Sequence, residues 1–180
     1  MIMTADLHNP FKRDTDLANL HPMVRTAIHN VIDELAKAKI PLRPFEAFRS
    51  PRRQAQLYAQ GRTLPGKIVT YAKAWQSYHQ YGLAVDFVFF VDGSWTWDEP
   101  KKGMWDQFHT IGQTYGLMPL NFETPHLQLA GTSSNALYHG RYPKGGDESW
   151  ITNLAQAIES WKGTPEAPPL PIDEQKMPVS

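Results

Sequence analysis

The sequence predicts an α+β fold, a small antiparallel sheet surrounded by helices, on two observations. Apolar residues recur at helical spacing in three well-separated stretches. Between them a Val- and Phe-rich run, Leu83 to Val91, leads into Asp92-Gly93, the dipeptide of a tight hairpin, and Ser94 to Trp97 then reads as the returning strand. Interspersed elements with a hairpin signal favour antiparallel pairing.

The elements follow in chain order. Pro22 to about Ala38 is a helix: Met23, Ala27, Val31 and Leu35, with Val24, Ile28 and Ile32 beside them, form an apolar stripe, and Pro22 suits the first turn. Pro41 and Pro44 end it, and Leu42 to Phe48 is extended. Ser50-Pro51 opens a second helix that runs to about Gln60 and stops at Gly61. Arg62 to Gln76 lacks periodicity and reads as a loop. A third helix spans about Gly103 to Tyr115, with Trp105, Phe108, Ile111 and Tyr115 on one face, and His126 to Leu129 is a short strand. Ser149 to Lys162 is the last helix, burying Trp150, Leu154, Ile158 and Trp161. The sequence thus divides into an N-terminal extension (1–20), one domain (21–162) and a Pro-rich tail (163–180) expected to be extended and flexible.

Composition bounds the function. The 180 residues carry 18 basic and 18 acidic side chains, seven histidines and no cysteine. Zero cysteine excludes disulfide scaffolds and thiol nucleophiles, and it restricts transition-metal ligands to His, Asp and Glu. Charge balance argues against a mainly electrostatic grip on nucleic acid or on an anionic membrane. The longest strongly apolar run, Phe87 to Val91, is far too short for membrane insertion. Met1 to Leu20 is polar and has no apolar core, so the expectation is a chain made in the cytoplasm without a signal peptide.

Three segments concentrate chemistry. In Ser77-Tyr78-His79-Gln80-Tyr81-Gly82-Leu83-Ala84-Val85-Asp86, a carboxylate enters an apolar strand, where it needs a charge partner, hydrogen bonds or a metal. His79 lies seven residues upstream and could share one ion with it. In Glu123-Thr124-Pro125-His126, a third ligand at His126 would leave a zinc with an open position, and Glu123 could act beside it as general base. Arg49, at a strand–helix junction, could hold an oxyanion. Taken singly, each segment reads better as an ordinary loop or surface residue, and Arg52 and Arg53 read as solvated helix residues.

Together the segments resemble a family. Gln56-Leu57-Tyr58-Ala59-Gln60-Gly61-Arg62-Thr63-Leu64-Pro65-Gly66, Ile68-Val69-Thr70, Ala72-Lys73 and Gln76 through Phe87 are similar to the L-alanyl-D-glutamate endopeptidases. These zinc peptidases of phage endolysins and bacterial wall-lytic enzymes are related to D-Ala-D-Ala carboxypeptidases and vancomycin-resistance D,D-dipeptidases. The resemblance covers roughly Leu20 to Leu129. It implies the Hedgehog/D,D-peptidase-like fold, with one Zn2+ held by His79, Asp86 and His126. It further implies Glu123 as catalytic acid–base, Arg49 as the residue polarising the scissile carbonyl, Ser77 as a substrate-contacting or supporting serine, and Gln56 as a weaker pocket candidate.

Two departures fall near the expected cleft. Gly116 to Phe122 is shorter than in many relatives and lacks their Trp-Gly-Gly segment, and Trp75 stands where small residues, often glycine, are common. The implied activity is hydrolysis of the L-Ala-D-Glu bond of the peptidoglycan stem by a lytic monomer. It would reach the cell wall or periplasm by holin release or by specialised secretion with an export partner. The alternatives are a D,D-carboxypeptidase or dipeptidase on the same scaffold, and a non-catalytic, metal-containing wall-binding module.

Overall fold

A computed structural model describes residues 11–172. The first ten residues of the expected extension and the last eight of the tail lie outside the described residues. The helices are α1 (Pro22–Lys37), α2 (Pro51–Ala59), α3 (Met104–Thr114), α4 (Ser134–Tyr138) and α5 (Glu148–Ser160), and the strands are β1 (Leu42–Glu46), β2 (Ala84–Val91), β3 (Ser94–Thr96), β4 (Leu117–Leu120) and β5 (Glu123–Leu129). All strand pairs are antiparallel, in the order β1-β2-β5-β4, with β3 also on β2. The α+β class is as expected. Two elements go beyond the sequence reading: β4, formed by the short segment after Gly116, and the five-residue α4.

β2 is the centre of the sheet, and its alternation separates two faces. Phe87 and Phe89 point to the core, 4.9 Å from the Phe108 ring and 4.7 Å from the Trp105 ring of α3. Asp86, Val88 and Phe90 take the other face. α3 lies close on the sheet at Gly112, where an added Cβ would come within 2.7 Å of Leu127. α1 buries Val24, Ala27, Ile28, Val31 and Leu35, while Met23, expected within the stripe, is exposed.

Residues 11–21 make contacts with the elements that follow. Asp14 accepts a hydrogen bond from the Ala47 backbone at 2.7 Å, and Leu20 is fully buried. His21 caps α1, its Nδ1 accepting from the Met23 N–H at 3.1 Å, with its ring edge-on to Trp150 at 4.7 Å. Trp150 in turn donates from its indole to the Tyr81 carbonyl at 2.8 Å, and the His21 backbone donates to the Gly82 carbonyl. Residues 163–172 contain no helix or strand and are held against the domain. The Trp161 indole donates to Pro165 at 2.7 Å, the Tyr138 and Tyr142 hydroxyls donate to Glu166 and Pro169, and Pro168 is buried.

The His21 junction makes fold stability pH-dependent. Burial pushes this imidazole below its ordinary 6.5, outweighing the opposing influence of the Pro143 and Lys144 backbone and of Asp147. A group with a depressed folded pKa contributes stability above the unfolded value and loses it as pH falls through the folded value. His21→Asn keeps a cap acceptor but cannot titrate, so it should unfold about 1–3 kcal/mol more easily near pH 8, with the gap to wild type narrowing below about pH 6.5. Urea unfolding of both proteins between pH 8 and 5 measures this, and a gap independent of pH would contradict it.

Candidate metal centre

A register shift in β1 between Pro44 and Glu46 sets Glu46 opposite Asp86, and Asp86 lies opposite His126 on β5. Opposed residues of paired strands share a face. Glu46, Asp86 and His126 therefore form one row across three strands, and two carboxylates stand next to each other. His79 joins from a 3-10 turn, Tyr78–Tyr81, that immediately precedes β2. Ser77 caps that turn, its hydroxyl accepting from the His79 N–H at 3.4 Å while Gln80 Oε1 accepts from the Ser77 N–H at 3.2 Å. Gly82 ends it in the left-handed conformation, with φ of 66°. A Cβ at Gly82 would meet the Asn19 carbonyl at 2.8 Å, so no larger residue fits.

The hydrogen bonds fix where the lone pairs point. His79 Nδ1 lies 2.7 Å from the Ala47 carbonyl, which can only accept, so Nδ1 carries the hydrogen and Nε2 a lone pair. His126 Nε2 faces Gln128 Oε1 at 2.9 Å, and with that amide orientation Nε2 donates and His126 Nδ1 carries a lone pair. Both lone pairs point at one oxygen, Asp86 Oδ1, at 3.2 and 3.0 Å. Three acceptors that face one another repel unless a cation or proton lies between them, and buried His79 Nε2 has no hydrogen-bond partner. The ligand atoms of His79, Asp86 and His126 lie within 4.8 Å of one another, a group that could hold one metal ion. Each imidazole is oriented by a bond from its other nitrogen, as metal-ligating histidines generally are.

The outer side of Asp86 is held by charge. Arg49 Nη2 donates to Asp86 Oδ2 at 3.0 Å and to Glu46 Oε2 at 2.8 Å, and Nη1 donates to Gln54 Oε1 at 3.0 Å. Glu46, only 2% exposed, also accepts from Arg53 Nε. Gln80 ties this network to the histidine turn by donating to the Arg49 carbonyl at 3.3 Å and to Gln54 Oε1 at 3.2 Å. Burial by itself would raise both carboxyl pKa values. Arg49 and Arg53 outweigh it at Glu46, and the two imidazoles outweigh it at Asp86, which they hold well below the usual carboxylate range. The reverse holds for His126: burial would lower it, but Asp86 raises it.

The sequence-derived candidates separate in space. His79, Asp86, His126, Arg49 and Glu123 come together, and Asp86, Arg49 and Glu123 line a cleft of about 470 Å³ with Arg53, Phe45, Trp97 and Phe122. Glu123 is partly exposed, its Oε2 3.6 Å from His126 Nδ1. Ser77 acts through the backbone of His79. Gln56 is exposed and is not among the residues lining the cleft, because α2 turns Gln54 inward instead. Arg53 is not a solvated helix residue, since Glu46 pulls it in. Trp75 lies in the core rather than at the cleft, and its φ of 68° explains a position where glycine would be the easy choice. Glu46, Gln54, Gln80 and Gln128 were missed by sequence reasoning. The available signal was a glutamate between Phe45 and Ala47-Phe48, with arginines three and seven residues on.

The family profile described as VanY: D-alanyl-D-alanine carboxypeptidase matches residues 17–142. The chain is 40% identical over 106 residues to the peptidoglycan L-alanyl-D-glutamate endopeptidase CwlK of Bacillus subtilis (strain 168), covering 55% of this chain and 64% of CwlK. It thus spans less than two thirds of that relative. Among solved structures, the L,D-carboxypeptidase DacB of Streptococcus pneumoniae is 22% identical with a TM-score of 0.49, covering 66% of this chain and 70% of DacB. The L-Ala D-Glu endopeptidase ChiX of Serratia marcescens is 20% identical with a TM-score of 0.45, covering 67% and 91%.

The buried pairings of Glu46 predict a large structural penalty for its loss. Glu46→Gln leaves two guanidinium groups short of a counter-charge and should destabilise the metal-free protein by about 3–5 kcal/mol. Urea denaturation measures this directly, and a loss below about 1 kcal/mol, the range of a surface pair, would show that Glu46 is not the anchor described.

Proposed function

The chain belongs to the VanY family of D-alanyl-D-alanine carboxypeptidases, and from that membership and the site's geometry we propose that it is a zinc-dependent endopeptidase cutting the L-Ala–D-Glu bond of the peptidoglycan stem. The observation that carries the reading is the convergence of two imidazole lone pairs and one carboxylate oxygen beside a cleft, with a second carboxylate close by. Two nitrogens and an oxygen from the protein form the three-ligand donor set of a catalytic zinc, which keeps a fourth position open. His79 Nε2, His126 Nδ1 and Asp86 Oδ1 would hold the zinc, which would supply Lewis acidity toward the amide carbonyl and acidify water.

The remaining work falls to this chain's own groups. Glu123 is the proton carrier: it takes a proton from the attacking water and returns it to the leaving D-Glu nitrogen. Its partial exposure suits a base that must meet both solvent and substrate. Arg49 fixes the orientation of Asp86 through Oδ2 and places a positive charge at the cleft, where it favours the oxyanion that forms at the L-Ala carbonyl. The choice of bond rests on the 40% identity to CwlK. A second reading, removal of the terminal D-Ala, is favoured by the family's description. Either substrate lies in the cell wall, so the protein acts there, with a specialised route out of the cell or holin release as the means.

Glu123→Gln should lower kcat on muropeptides by about 10²- to 10⁴-fold, with metal content unchanged. Asp86→Asn should lose the metal itself. Mass spectrometry of digested sacculi, with metal analysis of the same samples, tests both: an endopeptidase liberates peptides beginning at D-Glu, a carboxypeptidase only D-Ala. Loss of metal in Glu123→Gln would refute the role given to Glu123.

A further inference from the structure

The sheet face that carries Asp86 continues beyond the metal centre as an aromatic strip. Asp86, Val88 and Phe90 point the same way along β2, and the register sets Trp95 of β3 opposite Phe90. Trp97 follows two residues later, just beyond the end of β3. Each indole is braced at one edge: Trp95 packs on Phe90 at 4.8 Å and Trp97 on Phe45 at 4.9 Å. The bracing rings are themselves covered by cations, Arg43 4.1 Å from the centre of Phe90 and Arg13 3.8 Å from that of Phe45. Both indoles nevertheless remain half exposed, Trp95 at 52% and Trp97 at 50%. Large apolar rings, fixed in orientation and left open to solvent beside a cleft, mark a binding surface.

The chemistry of the substrate identifies the occupant. In peptidoglycan the amino group of L-Ala is joined through a lactyl unit to N-acetylmuramic acid. A protein that cuts after L-Ala therefore has a sugar two short units from the reacting carbonyl, about 7 Å at an extended chain's rise. From Asp86 to Val88, the level that Trp97 reaches, is also two residues, about 7 Å along a strand. Trp97 and Phe45 line the same cleft as Asp86 and Glu123, so the strip is continuous with the site.

We propose that Trp97, braced by Phe45 and Arg13, is a sugar subsite that stacks on the apolar face of the N-acetylmuramic acid bearing the stem peptide. Trp95 extends the platform to the next sugar of the glycan strand. The inference rests on cleavage at the L-Ala–D-Glu bond, because a protein removing terminal D-Ala works at the far end of the stem, where no sugar is attached.

The test compares two substrates: an N-acetylmuramyl stem peptide, and the same peptide with a plain acetyl group on L-Ala. The wild type should prefer the muramyl substrate in KM roughly three- to tenfold, and Trp97→Ala should bring that preference ratio close to one, with Trp97→Phe keeping part of it. Trp95→Ala should lower turnover of a disaccharide-linked peptide relative to the monosaccharide one. A preference ratio unchanged in Trp97→Ala, in protein whose thermal unfolding matches wild type, would overturn the subsite while leaving the endopeptidase reading standing. If the wild type instead releases only D-Ala from both substrates, the endopeptidase reading falls and the subsite with it.

Discussion

Asp86 divides its two oxygens between opposite kinds of neighbour. One meets the Arg49 guanidinium, and the other faces two imidazole lone pairs. The carboxylate is largely buried, and burial without compensation would favour its protonated form. Its ionised form therefore depends on charge on both sides, the arginine on one and a proton or metal ion on the other. That requirement explains the bulge in β1, which brings Glu46 opposite Asp86 and would be repulsive without the arginine between them. Arg53, Glu46, Arg49 and Asp86 alternate in sign, so each buried charge has a partner. Such a chain is weak evidence for stability in itself, since desolvation offsets much of its attraction. What it secures is the direction of a single oxygen.

The second imidazole is held by a different part of the molecule. His79 sits on a turn whose carbonyls and glycine contact the start of α1 and the indole of Trp150 on α5. Ligand geometry is thus tied to elements more than sixty residues apart in sequence, and the segment before α1 is part of the support. The stretch after α5 is docked through Trp161, Tyr138 and Tyr142.

Much of this was legible in the sequence, for identifiable reasons. Helical stripes and the Asp92-Gly93 turn reflect local periodicity and turn chemistry, so α1, α3, α5 and the β2–β3 hairpin appear close to where they were expected. The ligand set came from family resemblance. The supporting residues were illegible because they depend on register: a one-residue bulge makes Glu46 a buried partner and turns Arg53 inward, and nothing in local composition records a bulge. Gln56 and Gln54 illustrate the same limit. Two residues apart on a helix they face different ways, and only the direction of α2 decides which looks inward. β4 went unseen because Leu117 to Leu120 contains a proline and no alternation, and it exists through pairing with β5.

The two edges of β2 serve different ends. β1 occupies one edge, and its carboxylate, Glu46, is buried and paired with Arg49 and Arg53. β3 and β5 share the other edge, because β1 already pairs with Asp86 and Phe89 on its own side while β5 pairs with Asp86 and β3 with Phe89. This arrangement brings Glu123 and Trp97, twenty-six residues apart, into one cleft. The intervening chain folds back through α3, which lies close to β5 at Gly112 and Leu127. His79, Asp86 and His126 are therefore fixed by β2 and its neighbours, while the groups at the rim, Glu123, Trp97 and Phe122, sit on hairpin and strand ends. Substitutions in those turns can change what the cleft accepts without moving a ligand.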